Sequence, residues 1–298
     1  MTSPLATPLP FASVARILDL AFTDPQHGWF LATSCGMNHI CPIAVHATYD
    51  GGQTWQVASA PVAEAIFSAS TLPATKHVDA MRFANANRGW IFNPDFFSTH
   101  DGGQTWTDEK RNIAALEIVG QSVWAVEQRN DQSVIIASND LGQTWKVISN
   151  LPIRSSGVTL VRANVQTAWI LAWQVMTREA QLIMTDDEGN HWHAQSLPPY
   201  AGHCTSLSLA RSSDKKLWLL CGDGLATAMQ PKWLYTSVDN GATWDLVANN
   251  DPTGTSKPQG HIPIVGHMLD SRGFAVTSPT TAFMALNRGT LYVTHNGG

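Results

Sequence analysis

The sequence predicts an all-β protein, a single β-propeller of four-stranded antiparallel blades, and three observations carry that prediction. An eight-residue motif, Thr48-Tyr-Asp50-Gly-Gly52-Gln-Thr54-Trp55, recurs from Thr99, Ser138, Thr185 and Ser237, and the chain stops inside a sixth copy, Thr294-His-Asn296-Gly-Gly298. The intervals of 51, 39, 47, 52 and 57 residues bracket the ~40–50 residues of a four-stranded blade. Upstream of each copy an apolar strand, a polar turn and a Trp-bearing strand recur, as in Phe22-Thr-Asp-Pro-Gln-His-Gly28-Trp29 and Phe83-Ala-Asn-Ala-Asn-Arg-Gly89-Trp90. Trp124, Trp169 and Trp218 take the same place in the next units and Phe283 in the sixth. Finally, 44% of the 298 residues are hydrophobic, 12 are Trp and only 14% are charged, which excludes a disordered chain and a charge-laced coiled coil.

Each unit reads as strand a, turn, strand b, loop, strand c, motif turn, strand d. Blades are expected at about 14–59, 77–110, 113–149, 157–196, 203–248 and 262–298. The sixth lacks strand d: either residues near Leu5–Ser13 supply it and close the ring, or the native chain continues and holds seven blades. Residues 1–13 thus read as a linker or a ring-closing strand. With no basic n-region and no apolar h-region they do not read as a signal peptide, and no run reaches the ~20 apolar residues of a membrane span. The segment Val62-Ala-Glu-Ala-Ile-Phe67 is the one plausible short helix.

The motif has the chemistry of a turn. Its Asp accepts hydrogen bonds from its own loop, Gly supplies positive φ, and Thr-Trp resumes a strand with the indole as a large packing unit. Asp50, Asp101, Asp140, Asp187 and Asp239, with Asn296 in the sixth copy, are therefore assigned to structure, because recurrence in every unit is what fold maintenance requires. The motif resembles the Asp-box, or bacterial neuraminidase repeat, shared by sialidases, xyloglucanase-type hydrolases, sortilin-type receptors and the photosystem II assembly-factor family. The chain is most similar to the assembly-factor group, through single-propeller size and its Gly-Gly-x-Thr-Trp boxes. That resemblance implies a propeller and a non-catalytic scaffold in the cell envelope.

Sialidases of this superfamily carry an early Phe/Tyr-Arg-Ile-Pro motif, which is absent; the nearest string is Leu151-Pro-Ile-Arg154. A glycoside hydrolase, xyloglucanase-like before sialidase-like, is the enzyme alternative, with Asp79, Asp95, Glu117 and Asp270 as the carboxylates outside the boxes that could pair across a cleft. Catalytic residues are not assigned. His191-Trp-His193 puts two imidazoles on one strand face, but His191 stands where the box has Thr, so no metal site is expected. Nor is a cofactor: the Gly pairs belong to boxes, not to phosphate loops. The net charge of −5 argues against nucleic acid as partner.

Cys35 and Cys41 bracket a short b–c connection, and Cys204 and Cys221 fall on adjacent strands of blade five; both pairs could form disulfides, which favours an extracytoplasmic location. The function expected is a non-catalytic extracytoplasmic binding or assembly scaffold for a protein or glycan ligand. Its binding face would be built from the long loops 60–76, 222–232 and 249–261, since loops on a rigid frame carry sites. Counting back from the strand-b aromatic places Arg16, His77, Arg111, Ser156, His203 and Asp270 near the starts of the innermost strands. There they would form a polar circle at the channel mouth that favours an anion.

Overall fold

The computed structural model describes residues 16–66, 75–130, 132–151, 155–223, 231–250, 260–262, 269–286 and 291–296. Apart from one three-residue 3-10 turn, Ala201–His203, the regular structure among them is all strand. The chain divides into two compact units, 1–129 with 136–146, and 130–135 with 147–298.

In the first unit, β1 (Arg16–Phe22), β2 (Gly28–Thr33), β3 (Ile43–Thr48) and β4 (Gln56–Ala58) pair in order as an antiparallel blade. Two short strands, β5 (Glu64–Ala65) and β6 (His77–Val78), pair in parallel. Blade two comprises β7 (Ala80–Phe83), β8 (Gly89–Phe92), β9 (Asp95–Thr99) and the first part of β10 (Thr107–Val119). From Ile113 onward β10 instead pairs with β11 (Ser122–Arg129), so strand d of blade two runs directly into strand a of blade three. The pairing register shifts between Asp108 and Asn112, a bulge that turns the strand at Arg111. The sheet continues through β12 (Gln132–Ser138) and β13 (Lys146–Asn150), of which 136–138 and Lys146 belong to the first unit.

In the second unit, β14 (Gly157–Arg162), β15 (Ala168–Gln174), β16 (Glu179–Thr185) and β17 (His193–Gln195) form blade four. Blade five is β18 (Ser206–Arg211), β19 (Leu217–Gly222), β20 (Lys232–Ser237) and β21 (Asp245–Asn249), extended by a parallel edge, β22 (Gly260–His261). Then β23 (Leu269–Val276), β24 (Ala282–Leu286) and β25 (Leu291–Thr294) pair in sequence. The segment 62–67 departs from expectation. Its Glu64 and Ala65 form β5, because Ala65 N–H donates to the Cys41 carbonyl at 2.8 Å and Glu64 N–H to that of Lys76 at 2.8 Å; two neighbouring strand edges outcompete the local helix preference of Ala-Glu-Ala.

Strand b is apolar on both faces because both are covered: every residue of β2 and β19 is buried. Trp29, Leu31 and Val45 of blade one pack on Met81, Ile91 and Phe97 of blade two, and Trp169, Leu171 and Leu182 of blade four on Leu207, Leu219 and Tyr235 of blade five. The recurrent Gly-Trp has a steric cause. A Cβ on Gly28 would stand 2.5 Å from the Phe22 ring, and one on Gly89 2.5 Å from the Phe83 ring.

The boxes share one hydrogen-bond pattern. Thr48 Oγ1 donates to Asp50 Oδ1 at 2.8 Å and accepts from Gly52 N–H at 2.8 Å, while Asp50 also takes Thr54 N–H at 2.9 Å and Thr54 Oγ1 at 2.6 Å. Asp101, Asp140 and Asp239 repeat it, and at Asp187 the His191 imidazole replaces the threonine hydroxyl at 2.6 Å. The second box glycine has φ of +87° at Gly52 and +94° at Gly241, a region that glycine enters without Cβ cost.

The boxes also join blades. Trp29 Nε1 donates to the Gly102 carbonyl in the box of blade two at 3.0 Å, and Trp169 Nε1 to the Asn240 carbonyl in the box of blade five at 3.0 Å. The box indoles reach back: Trp106 Nε1 to the Ser59 carbonyl at 3.0 Å and Trp244 Nε1 to that of Ser196 at 2.9 Å.

The box bonds hold these carboxylates in their charged form. The Thr54 hydroxyl at Asp50, the His191 amide at Asp187 and the Thr243 hydroxyl at Asp239 lower each carboxyl from 3.8 to about 2. At Asp101 burial pushes upward, but the Thr105 and Thr99 hydrogen bonds outweigh it and the group also falls to about 2. Because the folded values lie below the unfolded ones, the stabilisation is complete above about pH 4 and is lost as pH falls through about 2. The urea midpoint is therefore expected to hold from pH 7 to about 5 and to fall steeply between about 4 and 2. A main loss between pH 7 and 5 would shift the acid lability from the boxes to histidines.

Candidate functional site

In each unit the a–b turns and the boxes lie at one end of the strands, joined by backbone bonds such as Gly51 N–H to the Gln26 carbonyl and Glu188 N–H to that of Gln166. The b–c and d–a connections therefore emerge at the other end, and both disulfides are there: Cys35–Cys41 in the first unit and Cys204–Cys221 in the second.

At this loop end of the first unit the backbone is stitched from 41–43 through 63–65 to 76–78. Ile43 N–H donates to the Ala63 carbonyl, and Pro42 bridges Glu64. Lys76 Nζ donates to Asp95 Oδ1 at 2.8 Å, which raises the pKa of the lysine, and the other Asp95 oxygen takes His77 N–H at 2.8 Å. Beside the β10 bulge, Arg111 Nη1 lies 3.0 Å from Glu127 Oε1, and Arg129 Nε donates to Glu127 Oε2 at 2.7 Å. Two guanidiniums thus share one carboxylate that is 8% exposed, which leaves one positive charge in excess.

Deeper along the innermost strands, Asp19 of β1 accepts Met81 N–H and Arg82 Nη1, at 2.8 and 2.9 Å, and Arg82 Nε lies 3.5 Å from Glu117 of β10. One charged residue from strand a of each of three successive blades therefore meets in one chain of ion pairs. In the second unit, Tyr200 stacks on Trp233 at 5.2 Å beside the 3-10 turn that carries His203. Lys232 there is buried, and burial pushes its amine down to about 8. A cavity of about 620 Å³ opens between blades five and six, lined by Leu220, Leu234, Ile262, Phe274, Met284 and Tyr292 among others.

No family model matches the chain. It is 22% identical over 304 residues to the photosystem II assembly lipoprotein Ycf48 of Synechococcus sp. (strain CC9902), spanning 86% of this chain and 82% of that protein. Among solved structures, YCF48 bound to D1 peptide superposes over 97% of this chain and 82% of that one, with a TM-score of 0.57 and 22% identity. YCF48 from Cyanidioschyzon merolae does so over 97% of both chains, with a TM-score of 0.56 and 14% identity. The Hadza microbial sialidase Hz136 covers 92% of this chain and 63% of its own, with a TM-score of 0.52 and 15% identity. The fold is a β-propeller.

On this propeller, Arg16 opens β1 opposite Thr33, His77 opens β6, and Arg111 sits in the bulge, all in the first unit. Ser156 is bonded to Gln174, and His203 is exposed in the second unit. Asp270 lies on β23, and its side chain is outside the described residues. Of the long loops, 67–74, 224–230 and 251–259 are outside as well. The counting rule did not reach Asp19 and Arg82, whose signal was available: each is a charged residue on a strand whose neighbours are apolar. Among the described residues no three His, Cys, Asp or Glu side chains gather as metal ligands, and no helix is long and apolar enough to cross a membrane.

Proposed function

We propose that the protein is a non-catalytic, extracytoplasmic binding or assembly scaffold that holds a segment of a partner protein at the loop end of its first unit. Arg16, His77 and Arg111 are its anion-recognising groups; His203 and Asp270 are the corresponding positions of the second unit. The observation that carries this reading is the Arg111–Glu127–Arg129 cluster, in which two guanidiniums converge on a single carboxylate and retain capacity for a second anion. The YCF48 structure with a D1 peptide supports a peptide as the ligand class. Three of the four carboxylates considered for a glycosidase are engaged in other bonds: Asp79 accepts from Asn93 at 2.9 Å, Asp95 from Lys76, and Glu117 pairs with Arg82. Two disulfides support an oxidising compartment, and the lipoprotein named above supports attachment at an envelope.

The test is fluorescence anisotropy with acidic peptides, free or amidated at the C-terminus, at two salt concentrations. Binding is expected to weaken in salt and to fall by about tenfold or more in Arg16→Ala with Arg111→Ala, the scale of a lost charged hydrogen bond, while the urea midpoint monitors folding. Affinity unchanged by both substitutions and by salt would overturn the reading, as would turnover of a fluorogenic glycoside.

A further inference from the structure

We propose that the Cys35–Cys41 disulfide is a thiol–disulfide exchange site, opened by a dithiol reductant, and that its opening releases the connection between β2 and β3 while Cys204–Cys221 stays closed. The two bonds stand in opposite surroundings. Cys204 and Cys221 are 2% and 0% exposed and lie in the apolar cluster of blades four and five with Leu207, Trp233 and Tyr235. Cys35 is exposed, and only its partner Cys41 is buried. Exchange requires a thiolate to reach a disulfide sulfur, and of the four cysteines only Cys35 is exposed.

In the loop that the bond closes, Met37 at the tip is wholly exposed, and Gly36 N–H donates to the Ile40 carbonyl at 2.9 Å, His39 N–H to the Gly36 carbonyl at 3.0 Å, and Ile40 N–H to Asn38 Oδ1 at 3.2 Å. The cysteines are 6 residues apart, against 17 for the other pair, so the cross-link restrains the unfolded chain less and adds less to folding. Cys41 is anchored independently of its sulfur, since its carbonyl accepts Ala65 N–H and the next carbonyl, that of Pro42, accepts Thr33 Oγ1 at 2.8 Å. Reduction therefore frees 34–40 and leaves Cys41 seated beside 63–65, the stretch that leads to Lys76 and His77.

In the exchange, a thiolate of the reductant attacks Cys35 Sγ, the sulfur–sulfur bond breaks, and Cys41 leaves as a thiolate that takes up a proton. The second thiol of the reductant then displaces Cys35 and becomes its disulfide. Two electrons and two protons pass to the protein, and the dithiol is oxidised. This inference is independent of which ligand the loop end holds.

The experiment equilibrates the intact protein with graded ratios of reduced to oxidised dithiothreitol, quenches with acid, and quantifies each pair by two-step alkylation and peptide mass spectrometry. Cys35–Cys41 is expected to be half-reduced at a ratio at least about fivefold lower than Cys204–Cys221, with faster amide exchange confined to 34–40. Reduction of both pairs together, reduction of Cys204–Cys221 first, or unchanged exchange at 34–40 would overturn the proposal. The Cys35→Ser, Cys41→Ser double variant is expected to fold with the other bond intact and to show the same exchange pattern without reductant. Failure of that variant to fold would make the bond a structural strut and overturn the proposal too.

Discussion

Arg88→Met is expected to lower stability by about 3–4 kcal/mol in urea unfolding followed by tryptophan fluorescence, because the guanidinium holds a junction that no other group can hold. Arg88 is 5% exposed. Its Nε donates to the Leu141 carbonyl at 2.7 Å, its Nη2 to that of Gly142 at 3.2 Å and its Nη1 to that of Thr99 at 3.4 Å and to His100 Nε2. Its Cζ lies over the Trp90 ring, 5.0 Å from the centroid. Leu141 occupies the box position that Gly102 and Asn240 hold in blades two and five, where an indole N–H binds the carbonyl. At the blade two to three junction the Trp90 indole N–H has no hydrogen-bond partner, and Arg88 supplies the donor instead. Methionine keeps much of the apolar stem but leaves buried carbonyls unsatisfied, at about 1–3 kcal/mol for each group stranded. Arg88→Lys should recover less than half of the loss, since an ammonium lacks the planar fork that reaches two successive carbonyls. A loss below about 1 kcal/mol for Arg88→Met would mean that water takes over the carbonyls and that the fork is dispensable.

That junction separates what the sequence displays from what it conceals. The blade pattern is legible because each repeat solves the same local problem: glycine at the left-handed turn, Ser/Thr and Asp bonding within five residues, and a strand b apolar on both faces. The interlock is a relation between one repeat and the next. Trp29 and Gly102 are 73 residues apart, and nothing near either names the other. In Asn85-Ala-Asn-Arg88 the arginine reads as a solvated turn residue, although it is buried. The inner strands show the same limit. Counting a constant number of residues back from the strand-b aromatic reaches Arg16, His77 and Arg111, but misses Asp19 and Arg82. The register slips between Ile17 and Asp19 and again between Ile113 and Ala115, so a fixed count does not stay on one side of the strand.

Trp29→Ala is expected to cost about 3–5 kcal/mol, the range for emptying a buried aromatic site. Trp29→Phe, at about 1–3 kcal/mol, isolates the part owed to the indole N–H. Trp29 is 0% exposed, stacks on Phe83 with centroids 3.9 Å apart and planes 4° from parallel, and donates to the Gly102 carbonyl. Phenylalanine retains part of the stack but cannot donate, so the box of blade two keeps a buried carbonyl with its partner removed. The stack is separable by a double-mutant cycle with Phe83→Ala, where a coupling of about 0.5–1.5 kcal/mol is expected for an aromatic pair. Because the donor and acceptor lie on different blades, the loss should appear as a lower midpoint and also as faster amide exchange in both blades one and two. Exchange that rises in blade one alone, or a Trp29→Phe variant as stable as the parent, would show that the blades are held by apolar packing and that the indole bond adds nothing. Equal costs for Phe and Ala would instead assign the junction to the hydrogen bond, and Trp169→Phe, which removes the donor to the Asn240 carbonyl, should then match Trp29→Phe to within about 1 kcal/mol.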